Sequence, residues 1–411
     1  MQGINKPLFR YVKEPIETAV KEGKSFLLLG PRQVGKTTIL GEAVEHVQPL
    51  LAYQLQNPAT KIEMERDPQR LIREARAING HVSVFIDEAQ KVPALFDAAQ
   101  ILIDEKKASF FFTGSSARKL RRKGINLLPG RIRLMTLDPL LWGELGLLAG
   151  HDLSSIPALS MRNINETALT LEDTMVYGGL PGILSAPMPD SADLLHAYAR
   201  LYIEEEIRAE ALSRSIGPFS RFLELAAAES GTAPNLTKLS KESGVSVPTI
   251  KQFYSILEDT LIVERVDGYV KNARKRILSS SRYYFFDMGV RNALARLPLV
   301  PETLNAQKGV LFEHAVILEL IRRIRLLKTN HKVYYWRTSA GAEVDCVLES
   351  HEELIPIEIK SASSISPSDL TGLKSFIADY GEKVKRAFVV TMGTRPEKVD
   401  DRITIIPWQY M

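Results

Sequence analysis

Three short stretches of this 411-residue chain bring together residue types that do chemistry on phosphates. The first is Gly30-Pro31-Arg32-Gln33-Val34-Gly35-Lys36-Thr37-Thr38, which satisfies G-x-x-x-x-G-K-[ST] at every fixed position. Glycines let the backbone curl so that its N–H groups face phosphate oxygens. Lys36 then neutralises the β- and γ-phosphates, and the Thr37 hydroxyl is a ligand for Mg²⁺. The second stretch is Asp87-Glu88, at the end of an apolar run. Asp87 is expected to hold the same Mg²⁺ and Glu88 to polarise an attacking water. An acidic pair at a strand end is ordinarily a solvated corner, but the phosphate loop upstream reverses that expectation. The third stretch carries Glu313, Asp345, Glu358 and Lys360. Glu358 and Lys360 stand two apart in an alternating run and so project from one strand face.

The elements that must position these groups are legible in the hydrophobic pattern. Ser25–Leu29, Val82–Ile86 and Ser109–Phe112 are short apolar runs separated by helical patterns, as in a parallel sheet covered on both faces. The phosphate loop follows the first run and precedes a helix, whose N-terminus adds partial positive charge. The run through Phe112 leads to Thr113-Gly114-Ser115-Ser116, where Ser115 is placed either to feel a γ-phosphate or simply to turn the chain. Farther on, apolar positions at Leu194, Leu195, Tyr198, Leu201 and Tyr202 predict a helix. Leu297-Pro298-Leu299-Val300-Pro301 marks a boundary, because paired prolines break regular structure.

The loop Gly30–Thr38, FIDEAQ at Phe85–Gln90, TGSS at Thr113–Ser116 and PGR at Pro129–Arg131 resemble the AAA+ ATPases. The likeness is to bacterial and archaeal members with a carboxy-terminal domain of unknown function. That resemblance implies an ATP- and Mg²⁺-dependent homo-oligomeric ring, with a hexamer favoured, in which Arg131 reaches the neighbouring subunit's nucleotide. Spacing alone does not separate Arg131 from Arg133. The same resemblance associates Gly178-Gly179-Leu180-Pro181 with the helical lid.

Between the outer regions, Leu236–Ser243, the short turn Gly244-Val245-Ser246 and Val247–Tyr254 have helix-turn-helix spacing. Ser246 can cap the second helix and Pro248 suits its first turn. That helix offers Thr249, Lys251 and Gln252 outward while Ile250, Phe253 and Leu257 face inward. Leu261–Val266 and Tyr283–Phe286 read as the strands of a wing, with Lys271, Arg274, Lys275 and Arg276 between them. Contact with a DNA backbone and groove is one reading of this basic wing, and subunit packing with a solvated loop is the other. A second basic run, residues 118–123, either faces a ring channel or is a surface loop.

In the carboxy-terminal region, Glu313 lies on a helical pattern, and Ser350–Glu353 can turn the chain so that Asp345 comes beside Glu358 and Lys360. This D…E-x-K pattern with an upstream Glu resembles the PD-(D/E)XK nuclease superfamily, particularly its Holliday-junction-resolvase-like branch. The resemblance implies that Glu313, Asp345 and Glu358 hold Mg²⁺ beside a scissile phosphate, while Lys360 orients water or stabilises the pentavalent phosphate. Val344 stands where the superfamily name has proline, which leaves open a site that grips DNA without cutting.

Composition sets the outer limits. With 53 Lys+Arg against 49 Asp+Glu, charge alone does not declare a nucleic-acid binder. One cysteine, Cys346, excludes an internal disulfide and a multi-cysteine zinc site. No apolar run approaches the roughly 20 residues that cross a bilayer, and a cytoplasmic protein without a membrane partner is expected. The expected fold is α/β: a parallel-sheet P-loop ATPase core (residues 1–150), a helical lid (151–215), a winged helix (216–300) and a nuclease-like α/β domain (301–411). The expected activity is ATP hydrolysis coupled to remodelling of duplex or branched DNA, with Mg²⁺-dependent cleavage. A junction motor with a non-cutting grip and a nucleotide-controlled switch docking a protein partner are the alternatives.

Overall fold

The computed structural model of the chain describes residues 8–115, 130–149, 156, 159–187, 190–202, 216–270 and 280–411. Lys271, Arg274, Lys275, Arg276 and the basic run 118–123 lie outside the described residues. The chain forms two compact units, Phe9–Pro139 with Ser255–Ile262, and Met1–Leu8 with Leu140–Tyr254 and Val263–Met411.

The first unit is built on a five-stranded sheet in the order β2-β3-β4-β1-β5, formed by β1 (Phe26–Leu29), β2 (Leu50–Gln54), β3 (Val82–Asp87), β4 (Ala108–Gly114) and β5 (Arg133–Thr136). All the pairings are parallel. Apolar residues fill β1 and β4 on both faces, as expected where helices cover the sheet on two sides. Phe112 stacks on Phe96 of the Leu95–Asp104 helix, with ring centroids 4.7 Å apart. Because β1 and β4 are adjacent and parallel, the chain leaves both at the same edge of the sheet. That edge receives the phosphate loop and the end of β3.

The second unit contains an eight-stranded mixed sheet ordered β12-β13-β11-β10-β9-β8-β6-β7. Its strands are β6 (Val263–Gly268), β7 (Ser281–Phe285), β8 (Lys332–Arg337), β9 (Glu343–Glu349), β10 (Leu354–Lys360), β11 (Ala387–Thr391), β12 (Glu397–Lys398) and β13 (Ile403–Pro407). The β6–β7 hairpin joins β8 through Asp267↔Tyr334 and Gly268↔Tyr335, so the hydrogen-bonded ladder crosses residue 300. Leu236–Ser243 and Val247–Asp259 are helices separated by Gly244 at φ +75°, the left-handed conformation a tight turn requires. Phe219, Phe222 and Phe253 pack together beneath them.

The Gly-Gly-Leu-Pro element has a packing role. Gly178 has φ +78°, and a Cβ there would lie 2.0 Å from Oδ1 of the buried Asp287. The Asp287 carboxylate accepts hydrogen bonds from Gly179 N at 2.7 Å and from Val290 N at 3.1 Å, capping the Met288–Leu294 helix. Burial pushes this carboxyl above its ordinary range, against the pull of those N–H groups and of Arg322. Among the described residues, no helix is long and apolar enough to cross a membrane.

Candidate active sites

At the β1 end, Gly30 cannot carry a side chain: a Cβ would stand 2.1 Å from the Leu137 carbonyl oxygen. Gln33 and Gly35 have φ of +61° and +96°, which winds the loop back toward the helix Lys36–Val44. Lys36 is buried and donates to the carbonyls of Gly30 at 2.9 Å and Pro31 at 2.7 Å. Its ammonium therefore sits inside the loop that is to hold phosphate. Arg10 supports the loop from outside, donating to the Val34 carbonyl at 3.0 Å and the Asp138 carbonyl at 2.7 Å.

The carboxylates of β3 reach the same place. Thr37 Oγ1 donates to Asp87 Oδ1 at 2.8 Å, and Thr113 Oγ1, from β4, donates to that oxygen at 2.6 Å. Glu88 adopts the left-handed conformation, φ +56°, and its backbone N–H donates to Thr113 Oγ1 at 2.9 Å. Ser115 Oγ donates to Glu88 Oε2 at 3.0 Å, while Gln90 Nε2 donates to that carboxylate oxygen and, at 2.9 Å, to Ser115 Oγ. Thus Thr37, Asp87, Glu88 and Ser115 are brought together. Thr113 and Gln90 stand between them as connectors, although the sequence reading assigns neither a role. Both belong to the motif segments Thr113–Ser116 and Phe85–Gln90, which is the signal that marks them.

Arg131 is held elsewhere. Parallel pairing sets Phe26 opposite Arg133, so the start of β5 lies at the sheet end opposite the loop. There Arg131 forms a two-pronged ion pair with Asp104, at 2.6 and 3.0 Å. It does not reach the phosphate loop of the chain it belongs to.

Residues 22–146 match the family model described as an AAA domain. The amino-terminal unit carries an AAA ATPase domain. Residues 168–300 and 308–411 match two models described as domains of unknown function, DUF8612 and DUF4143. Uncharacterized proteins of Mycobacterium tuberculosis and Mycobacterium bovis are each 26% identical over 400 residues, covering 95% of this chain and 82% of theirs. Among solved structures, the Walker-type ATPase of Pyrococcus abyssi aligns with a TM-score of 0.46 and 15% identity, over 72% of this chain and 99% of that one. A structure of Pif1 helicases unwinding forked double-stranded DNA aligns with a TM-score of 0.25 and 12% identity, over 51% of this chain and 59% of that one.

Downstream of the AAA domain, the second cluster forms where β9 and β10 meet the helix Thr303–Leu327. β9 and β10 are antiparallel with Leu354 opposite Glu349, and the turn closes through Ser350 N to the Glu353 carbonyl at 3.0 Å. Asp345 Oδ2 accepts from Ile359 N at 2.8 Å, which fixes this carboxylate beside the E-x-K strand. Lys360 Nζ lies 2.5 Å from Glu358 Oε1, whereas Glu358 Oε2 is buried without a hydrogen-bond partner. Glu313 accepts at Oε1 from Arg282 Nη1 at 3.2 Å and from the Tyr284 hydroxyl at 3.3 Å. Burial pushes the Glu313 carboxyl up to about 7, with the nearby Asp345 adding to it. Burial and Asp345 likewise push Glu358 up to about 7, and burial raises Asp345 itself.

Carboxylate oxygens are donors of the kind a hard divalent cation takes, and Glu358 Oε2 is a buried one without a hydrogen-bond partner. The three-carboxylate shell expected from sequence is not assembled: among the described residues, no group of three or more His, Cys, Asp or Glu side chains is disposed to hold a metal ion. The physical reason is visible at Glu313, whose Oε1 is engaged by Arg282 and Tyr284. Mg²⁺ commonly uses only one or two carboxylates and keeps several waters, so Asp345 and Glu358 are the pair suited to it.

On the Val247–Asp259 helix, Lys251 and Gln252 are exposed and Thr249 is half-buried, while Ile250, Phe253 and Leu257 are buried. Ser246 caps the helix weakly, its Oγ accepting from Thr249 N at 3.4 Å.

Proposed function

We propose that the AAA domain hydrolyses ATP with Mg²⁺ and that this hydrolysis drives engagement and remodelling of DNA, duplex or branched. The observation carrying the ATP half is the Thr37–Asp87–Thr113 bond chain, which joins the phosphate loop to the carboxylate strand. In this reading, backbone N–H groups of residues 30–38 and Lys36 bind the phosphates. Thr37 and Asp87 hold Mg²⁺, and Glu88 orients water. Ser115 and Gln90 keep the Glu88 carboxylate in place. Arg131 acts between subunits of a homo-oligomeric ring, because within its own subunit it stands at the wrong end of the sheet. A hexamer is the ring size the family resemblance favours.

The nuclease-like cluster supports a second activity, Mg²⁺-dependent cleavage of a DNA strand. Asp345 and Glu358 would hold the cation, Lys360 would steady the attacked phosphate, and Glu313 would complete or flank the shell. Thr249, Lys251 and Gln252, with the basic wing residues, are the proposed DNA contacts. One experiment tests both halves: purified protein with branched and linear DNA, with and without ATP and Mg²⁺, alongside Lys36→Ala and Asp345→Asn. Loss of ATP turnover in the first variant and of cleavage in the second supports the reading. Cleavage persisting in Asp345→Asn, or no turnover by the wild type with DNA and Mg²⁺ present, overturns the corresponding half.

A further inference from the structure

No spacing rule in the sequence selects Arg282, yet it is the cation most deeply engaged with the carboxylate cluster. It belongs to β7, and its side chain is only 9% exposed. Its guanidinium donates Nη1 to Glu313 Oε1 at 3.2 Å and Nη2 to Glu343, while its centre lies 4.4 Å from the Tyr335 ring centroid. Tyr284, two residues along the same strand and so on the same face, donates to the same Glu313 oxygen. Glu313 is thus tied to β7 by two donors. Meanwhile Glu358, itself more than nine-tenths buried, keeps one oxygen without a partner. Four carboxylates (Glu313, Glu343, Asp345, Glu358) face three cations (Arg282, Arg337, Lys360), so acidic groups outnumber basic ones where Glu358 keeps its free oxygen.

We propose that Arg282 is a latch on this site, an internal counter-cation that holds Glu313 out of the metal shell until a divalent ion arrives on Asp345 and Glu358. The inference rests on reading the cluster as a metal site. A doubly charged ion and a guanidinium compete for the same carboxylate, so each weakens the binding of the other. A planar, two-pronged cation suits this role better than lysine, because its fork bridges Glu313 and Glu343 while its face rests on Tyr335. Arg282 is accordingly a positioning residue. Its removal should strengthen metal binding, whereas a residue that merely supports the fold would weaken it when removed.

The test is titration calorimetry of the full chain with Mn²⁺ in the absence of DNA, comparing wild type, Arg282→Gln, Arg282→Lys and Asp345→Asn. With Asp87→Asn carried in every chain to silence the cation site of the AAA domain, Asp345→Asn should abolish the binding. Arg282→Gln should bind about fivefold more tightly, the factor expected from removing one partly screened ion pair. Arg282→Lys should bind more tightly than wild type and less tightly than Arg282→Gln, and it decides the matter if the glutamine variant fails to fold by tryptophan emission. Binding by Arg282→Gln equal to or weaker than wild type, with Asp345→Asn still negative, overturns the latch and leaves the metal site standing. Binding absent from the wild type, or unchanged in Asp345→Asn, overturns the metal-site reading and the latch with it.

Discussion

Thr113 offers the sharpest test of how the AAA domain positions its acidic pair. Its hydroxyl donates to Asp87 Oδ1 at 2.6 Å and accepts from Glu88 N at 2.9 Å, and all three residues are buried. Thr113→Val preserves shape and removes both bonds. A hydrogen bond to a charged group contributes about 1.5–3 kcal/mol and a neutral one about 0.5–1.5 kcal/mol, so the local loss is about 2–4 kcal/mol. The Glu88 backbone is the weak point, since its left-handed φ of +56° costs energy that the bond to Thr113 helps offset. If about half of that loss appears in the transition state, turnover falls about 5- to 30-fold. Nucleotide affinity should change little, because Lys36 and the loop N–H groups do not depend on Thr113. The assay is steady-state ATP turnover beside equilibrium binding of a fluorescent nucleotide, with Thr113→Ser as the control that restores the hydroxyl. Turnover by the valine variant within twofold of wild type would refute the reasoning. So would a serine variant as slow as the valine one.

Two further predictions concern the second unit, which holds all three tryptophans (Trp142, Trp336 and Trp408), so that tryptophan emission reports on it selectively. Asp287→Ala removes a helix cap and leaves Gly179 N–H buried without its acceptor, a loss of about 2–4 kcal/mol measurable as a lower urea midpoint. Burial raises this carboxyl's folded pKa, so its stabilising contribution is full below the ordinary carboxyl range and declines as pH rises through the raised value. The gap between wild type and Asp287→Ala should therefore narrow as the pH of the urea titration rises, and a gap that widens contradicts the assignment. Gly372→Ala would place a Cβ 1.8 Å from the Glu343 carbonyl oxygen, displacing β9 at the strand that carries Asp345. DNA cleavage and Mn²⁺ binding should drop at least about tenfold while DNA-free ATP turnover stays within about twofold. Equal loss of both activities would show that the disturbance is not local.

How much was legible in the sequence depended on how far apart the cooperating residues stand. The phosphate loop is contiguous, and its strand and helix flank it directly, so pattern and geometry agree from Phe26 to Val44. Asp87 and Glu88 follow from an apolar run, because a strand end in a parallel sheet falls at a fixed edge. Asp345, Glu358 and Lys360 follow from one hairpin, whose alternation fixes which face each residue shares. Arg282 does not follow from either kind of rule. It is 31 residues before Glu313 and 61 before Glu343, and its approach depends on β6 pairing in parallel with β8. Thr113 shows a different limit. Its segment points to Ser115 as readily as to Thr113, since only three-dimensional register shows which hydroxyl meets Asp87 and which meets Glu88.

The same parallel pairing bears on how the middle of the chain is joined to the carboxylate cluster. The hairpin β6–β7 follows the Val247–Asp259 helix and is joined to β8 by a short ladder, extended by Tyr269 N donating to the Tyr335 carbonyl at 2.6 Å. Beyond it, the register of β8 against β9 shifts between Tyr334 and Trp336, so the backbone around Tyr335 is the irregular part of the sheet. Tyr335 also fastens the hairpin through its side chain, donating its hydroxyl to the Ser280 carbonyl at 2.8 Å while its ring meets Arg282. Any displacement of the hairpin relative to β8 must therefore be felt at Tyr335 and Arg282. Arg282 in turn holds Glu313 and Glu343, so its ion pairs join the hairpin to the carboxylates. The contact between the hairpin and β8 and the contact with the carboxylates thus share one guanidinium.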